Sequence, residues 1–127
     1  MRILLIEDDR DLADLMWMLL SCASDEVLIG HDGASAVQMA LDFHPDVVLL
    51  DIGLPDLSGH EVAKRIRREP TLADVVLVAL TGFDGKAHRA TSMEAGFDYH
   101  LVKGAGFGPL QEILNTVARR RCVSGQP

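Results

Sequence analysis

Short runs of Ile, Val and Leu recur along the chain at Ile3–Ile6, Glu26–Ile29, Val47–Leu50, Val75–Leu80 and Tyr99–Val102. Each is strand-length, and none alternates strictly between apolar and polar positions. That is the pattern of strands covered on both faces of a parallel sheet. Between them, apolar residues fall at helical spacing: Leu12, Leu15, Met16, Leu19 and Leu20, then Ala36, Val37, Ala40 and Leu41, then Val62 and Ile66, and last Leu110, Ile113, Leu114 and Val117. These segments predict amphipathic helices, and Met16 and Trp17 fall at core spacing on the first. Ser58-Gly59-His60-Glu61 has the form of a capping box, Pro109 suits a first helical turn, and Gly96 sits where a helix needs a left-handed terminator. Strand and helix alternate five times, which predicts an α/β fold: a doubly wound, five-stranded parallel sheet with right-handed crossovers and five helices on its two faces.

With 127 residues there is room for one core. We expect one domain over residues 1–121 and a tail over 122–127, where the arginine run gives way to small and polar residues. A hydrophobic fraction of 48% against 24% charged is the balance of a packed protein and excludes wholesale disorder. No apolar run reaches the length of a membrane span, and acids follow the first one where a signal peptide needs small residues, so a cytoplasmic location is expected. Cys22 and Cys122 show no metal-ligand spacing and read as free thiols of a reducing compartment. The net charge of −7 argues against nucleic acid or an anionic membrane as a partner.

The placement of the acids changes the picture. In an open parallel sheet the ligand crevice lies beyond the carboxyl ends of the strands, where the strand order reverses. With the order 2-1-3-4-5, strands one and three flank that point. Strand one runs into Glu7, Asp8 and Asp9, and strand three into Asp51, while strand four ends at Thr81 and strand five at Lys103. Two carboxylates about 4 Å apart repel by roughly 4 kcal/mol at an effective dielectric near 20, so such a cluster calls for a cation or a proton. Oxygen ligands without Cys or His favour Mg2+ over zinc. Metal, ammonium and hydroxyl together neutralise a phosphoryl group while a carboxylate oxygen attacks it in line, giving an aspartyl phosphate.

Ile6-Glu7-Asp8-Asp9, Leu50-Asp51-Ile52-Gly53-Leu54-Pro55-Asp56-Leu57-Ser58-Gly59, Leu80-Thr81-Gly82 and Leu101-Val102-Lys103 stand in the order and spacing of a known family. From Arg2 to about Arg120 the chain resembles the response-regulator receiver domains of two-component phosphorelay signalling. The resemblance implies a flavodoxin-like three-layer sandwich, phosphorylated on Asp51 by a histidine kinase or histidine phosphotransfer protein. It implies Mg2+ held by Glu7, Asp8, Asp51 and the backbone carbonyl of Gly53, a switch hydroxyl at Thr81 and a phosphate-contacting Lys103. Pro55 and Gly59 match the turn into the third helix, and Asp9, one place beyond the acidic pair, is expected to cap the first. A downstream protein would dock on the face of the fourth helix, fifth strand and fifth helix. Two positions depart from the pattern. His100 stands at the aromatic switch position, with Tyr99 one place early and on the opposite face, and Gly104 replaces the proline after the lysine.

Other readings account for less. An aspartyl-phosphate-forming phosphohydrolase usually carries a second acid two residues after the first, where this chain has Gly53. A flavodoxin-like cofactor site needs a phosphate loop after the first strand, where Glu7, Asp8 and Asp9 would repel the anion. The Gly104-Ala105-Gly106-Phe107-Gly108 run lacks the dinucleotide spacing and has no strand after it. His31, His44, His60 and His88 read as surface residues, and Arg65, Arg67 and Arg68, like Arg119 to Arg121, as charges complementing helix ends. With Phe83 shielding the acyl phosphate and no side chain at Gly53 to place a water, slow self-dephosphorylation is expected.

Overall fold

The protein is described by a computed structural model over residues 1–22, 26–82, 95–103 and 108–124, with side chains to Arg120. The elements are β1 (Arg2–Ile6), α1 (Arg10–Ser21), β2 (Glu26–Gly30), α2 (Gly33–Phe43), β3 (Val47–Asp51), α3 (Gly59–Arg68), a 3-10 turn (Pro70–Leu72), β4 (Val76–Thr81), β5 (Tyr99–Val102) and α4 (Gly108–Ser124). All pairings are parallel, in the order β2-β1-β3-β4-β5. The helix expected between the fourth and fifth strands, Phe83, His88 and the Gly104–Phe107 stretch lie outside the described residues.

Alternation along the buried strands builds two cores. Leu4 and Ile6 of β1 join Val48 and Leu50 of β3 against Ala36, Ala40, Val62 and Ile66 of α2 and α3. Ile3 and Leu5 join Val47 and Leu49 on the other face, against Ala13 and Leu20 of α1 and Leu110, Leu114 and Val117 of α4. Both faces being covered is why these strands read as unbroken apolar runs. Each large side chain so enclosed contributes roughly 1.5–3 kcal/mol.

The expected caps are present. Asp9 accepts the Leu12 N–H at 3.2 Å, Ser58 accepts the Glu61 N–H at 3.3 Å, and Gly96 adopts φ 107°. A left-handed residue not foreseen is His44, φ 52°, which ends α2 with its N–H on the Ala40 carbonyl at 2.9 Å.

α1 departs from expectation. Its sheet-facing stripe is Ala13, Met16 and Leu20, at i, i+3 and i+7, whereas Leu15, Met18 and Leu19 form a neighbouring stripe on the solvent side, 42–63% exposed. One helix face is all that a flat sheet covers, and α1 is apolar over more than that face. Trp17 is also exposed rather than in the core, its Nε1–H directed to the Val27 carbonyl at 3.4 Å. Together with Leu28 on the edge strand β2, these are the exposed large apolar side chains among the described residues. None of the described helices is long and apolar enough to cross a membrane.

Candidate functional site

Glu7 leaves the end of β1 with its N–H on the Gly30 carbonyl at 3.0 Å. Asp51 is the last residue of β3, and because Ile6 is in register with Leu50 the two acids stand at neighbouring strand ends. Lys103 follows β5 directly, its N–H on the Thr81 carbonyl at 2.6 Å. Its ammonium nitrogen lies 2.7 Å from Glu7 Oε1 and 3.0 Å from Asp51 Oδ2. The second Asp51 oxygen accepts the Gly53 N–H at 2.8 Å. Carboxylate oxygens of Glu7, Asp8 and Asp51 all lie within 4.8 Å of one another, Asp8 on the exposed side of the cluster.

The three charges are unequal. Burial lifts the Glu7 carboxyl to about 7. Lys103 opposes that rise, and Asp51, hydrogen-bonded and negatively charged beside it, adds to it. Burial also pushes Asp51 upward, but hydrogen bonds from the Gly53 N–H and from the Glu7 and Lys103 side chains outweigh it and hold Asp51 below the usual carboxylate range. Burial works against the Lys103 ammonium, and the two acids more than restore it. The site therefore favours a charged lysine, an ionised Asp51, and a Glu7 that shares its proton with its neighbours near neutral pH. Three hard oxygen donors with one open side suit Mg2+, which binds through one or two carboxylates and keeps several waters.

The other expected residues fall around this centre. Thr81 is buried one position past Leu80, the register partner of Asp51, and its hydroxyl donates to the Leu101 carbonyl at 3.4 Å. Gly53 is exposed beside Asp51. His100 stands half-buried opposite Ala79. With Tyr99, Pro109, Glu112, Ile113 and Thr116 it lines a groove of about 330 Å³ between β5 and α4. Tyr99 and Leu101 pack on the core shared with α1 and α4, as strand alternation requires.

Two residues given no role in the sequence belong to the site's support. His31, expected at the surface, is partly buried and its Nδ1–H donates to the Glu7 carbonyl at 3.0 Å. Asp56 accepts the Gly33 and Ala34 N–H groups, each at 2.9 Å, tying the loop after Asp51 to the start of α2. Those bonds hold its carboxyl below the usual range. Partners 22 and 23 residues away leave no local spacing to find. Gly59 does have a steric reason: a Cβ there would stand 2.5 Å from Ile52 Cα and 2.6 Å from the Asp51 carbonyl oxygen.

Comparison with known proteins agrees with this geometry. The family model described as the response regulator receiver domain matches residues 3–115. The response regulator MprA of Mycobacterium avium is 32% identical over 120 residues, covering 94% of this chain and 52% of its own length, so the chain spans about half the length of the curated relatives it matches. A putative response regulator from Chloroflexus aurantiacus superposes with TM-score 0.86 at 25% identity, over 91% of this chain and 95% of its own. The receiver domain of the sensor histidine kinase PA1611 from Pseudomonas aeruginosa, solved with a magnesium ion in its active-site cleft, superposes with TM-score 0.83 at 30% identity, over 91% and 94%. Sheet order, strand-end acids and sequence match together place this chain in the response regulator receiver domain family of two-component signalling.

Proposed function

We propose that Asp51 accepts a phosphoryl group from a histidine kinase or a histidine phosphotransfer protein, in a Mg2+-dependent reaction that this domain itself promotes. The observation carrying this reading is the geometry at the strand ends: Asp51 accepts the Gly53 N–H at 2.8 Å and the Lys103 ammonium at 3.0 Å, while carboxylate oxygens of Glu7, Asp8 and Asp51 lie within 4.8 Å of one another. An ionised Asp51 oxygen attacks phosphorus, the donor's P–N bond breaks, and the imidazole departs with the electron pair and is reprotonated from solvent. Glu7, Asp8, Asp51 and the Gly53 carbonyl are the groups that would hold Mg2+, which when bound offsets the negative charge of the phosphoryl oxygens. Lys103, already within 3.0 Å of Asp51 Oδ2, contacts one of those oxygens and Thr81 donates to another.

Switching follows from the same contacts. Drawn to the phosphoryl group, the Thr81 hydroxyl gives up the Leu101 carbonyl, and the His100 ring, on the face of β5 opposite Tyr99 and Leu101, repacks there. A downstream protein reads that face, together with the helix expected before β5. The net charge of −7 argues against direct nucleic-acid contact, and the domain acts in the cytoplasm. The exposed apolar stripe of α1, a helix beginning two residues after Asp8, gives a protein donor a docking face beside the site's mouth.

The test is incubation with acetyl phosphate and Mg2+ followed by intact-mass measurement. One labile phosphate is expected on the wild type and none on Asp51→Asn. No adduct on the wild type, or an undiminished one on the variant, overturns the reading.

A further inference from the structure

We infer that Arg67, at the end of the strands away from the phosphoryl site, is a positioning residue that sets where Lys103 stands; the inference rests on the reading of Lys103 as the phosphate contact. Arg67 is not a solvated helix-end charge, as its place in the last turn of α3 suggests. Its Nε–H donates to the Gly96 carbonyl at 2.9 Å, and Nη1 donates to the Ala73 carbonyl at 3.1 Å and the Val75 carbonyl at 2.6 Å. Nη2 donates to Asp98 Oδ2 at 2.7 Å. The same Asp98 oxygen accepts the Leu77 N–H at 2.9 Å, and the Asp98 N–H returns to the Leu77 carbonyl at 2.8 Å. One guanidinium thus ties the end of α3 to the entry of β4 and the entry of β5. Five N–H donors in a rigid fork make this possible, and a lysine ammonium could not span the same acceptors.

Gly96 makes room for the clamp. A Cβ on it would lie 2.7 Å from Arg67 Cγ, and its φ of 107° disfavours other residues as well.

What the clamp controls follows from the strand. β5 is a four-residue strand at the end of the sheet, half-buried along its whole length and paired, among the described residues, with β4 alone. Its register on β4 is pinned at entry by Asp98 and at exit by the Lys103 N–H on Thr81. Each residue of slip moves the exit by about 3.3 Å and reverses every side chain. Of the charged groups at the centre, Lys103 alone is carried by β5, directly after its last residue, while the three acids extend from β1 and β3. Loosening the clamp should therefore separate two properties that a general loss of stability would affect together: delivery of the ammonium fails while the carboxylate cluster keeps its shape.

The experiment compares Arg67→Ala and Asp98→Asn with wild type in phosphorylation by acetyl phosphate at saturating Mg2+, and in Mg2+ titration followed by NMR. We expect phosphorylation slower by about tenfold to a hundredfold, the range for an ångström-scale misplacement, with Mg2+ affinity not reduced, since withdrawing the ammonium removes a competing cation from Glu7 and Asp51. In a Lys103→Ala background the Arg67→Ala change should add no further loss, because the two act through one group. Fully multiplicative losses, or a parallel loss of Mg2+ affinity, overturn the inference. Should Arg67→Ala fail to fold, Arg67→Lys keeps the charge without the fork and is expected to show the same separation. Hydrogen exchange supplies a readout independent of phosphate chemistry: the Lys103 amide should lose protection in these variants while the Glu7 amide, bonded to Gly30 on the other side of the sheet, keeps it. If the wild type takes no phosphate, the phosphoacceptor reading fails and the exchange comparison still decides the clamp.

Discussion

Glu7 is fully enclosed while Asp8, its neighbour in the chain, is exposed, so two acids that look alike in sequence meet different surroundings. Burial raises the folded-state pKa of Glu7 from 4.5 to about 7. Between those values the folded protein holds this proton more tightly than the unfolded chain does, so this group's contribution to stability falls as pH rises through the window. In EDTA, the Tm of the wild type should therefore carry a downward component from pH 4.5 to 7 that Glu7→Gln lacks; equal slopes would refute it. In the proposed metal role of Glu7, Mg2+ competes with that proton, and the rise in Tm on adding the metal should grow across the same window. The acid cluster itself was legible in the sequence, because each member directly follows an apolar strand run. The inequality within it was not, because it depends on the depth of each carboxylate and on where the Lys103 ammonium comes to rest.

At the level of elements, all five strands and the helices described were visible as period and length, since a doubly covered sheet leaves continuous apolar runs and amphipathic helices leave stripes. α1 misled because it bears two adjacent apolar stripes, and periodicity alone does not say which one meets the sheet. Its outer stripe is the basis of a prediction. Leu15→Ser or Met18→Ser should leave phosphorylation by acetyl phosphate unchanged and slow transfer from a protein phosphodonor, which paired rate measurements with the two donors would show. The turn between β3 and α3 carries another. Gly59→Ala forces a methyl group against the Asp51 and Ile52 backbone, which has no flexible side chain to yield, and should cost about 1–3 kcal/mol in denaturant unfolding. It should slow phosphorylation as well, since the backbone it displaces is that of Asp51. The capping serine beside Gly59 was readable from four residues, whereas the glycine's crowding required the packed turn.

Across the whole molecule, the contacts hardest to foresee are those that join elements distant in sequence: His31 on Glu7, Arg67 on Asp98, and Asp56 on the first amides of α2. Asp56 is the most consequential for assembly. Its lowered pKa means that its contribution to stability is present above the ordinary carboxylate range and is lost as pH falls through its folded value. Asp56→Ala should lower the Tm at neutral pH, with far-UV signal and phosphorylation capacity lost together on heating; capacity lost well before the helices would refute it. The reason is that α2 seats on β1 and α3 in one of the two cores, yet the amides at its start are completed by the loop that shapes the phosphoryl pocket. In folding terms, the seating of α2 and the placement of that loop are coupled through these two bonds. A molecule with α2 seated therefore favours the loop after Asp51 in its place, and one with that loop displaced leaves the first amides of α2 without these partners and more open to proteolysis.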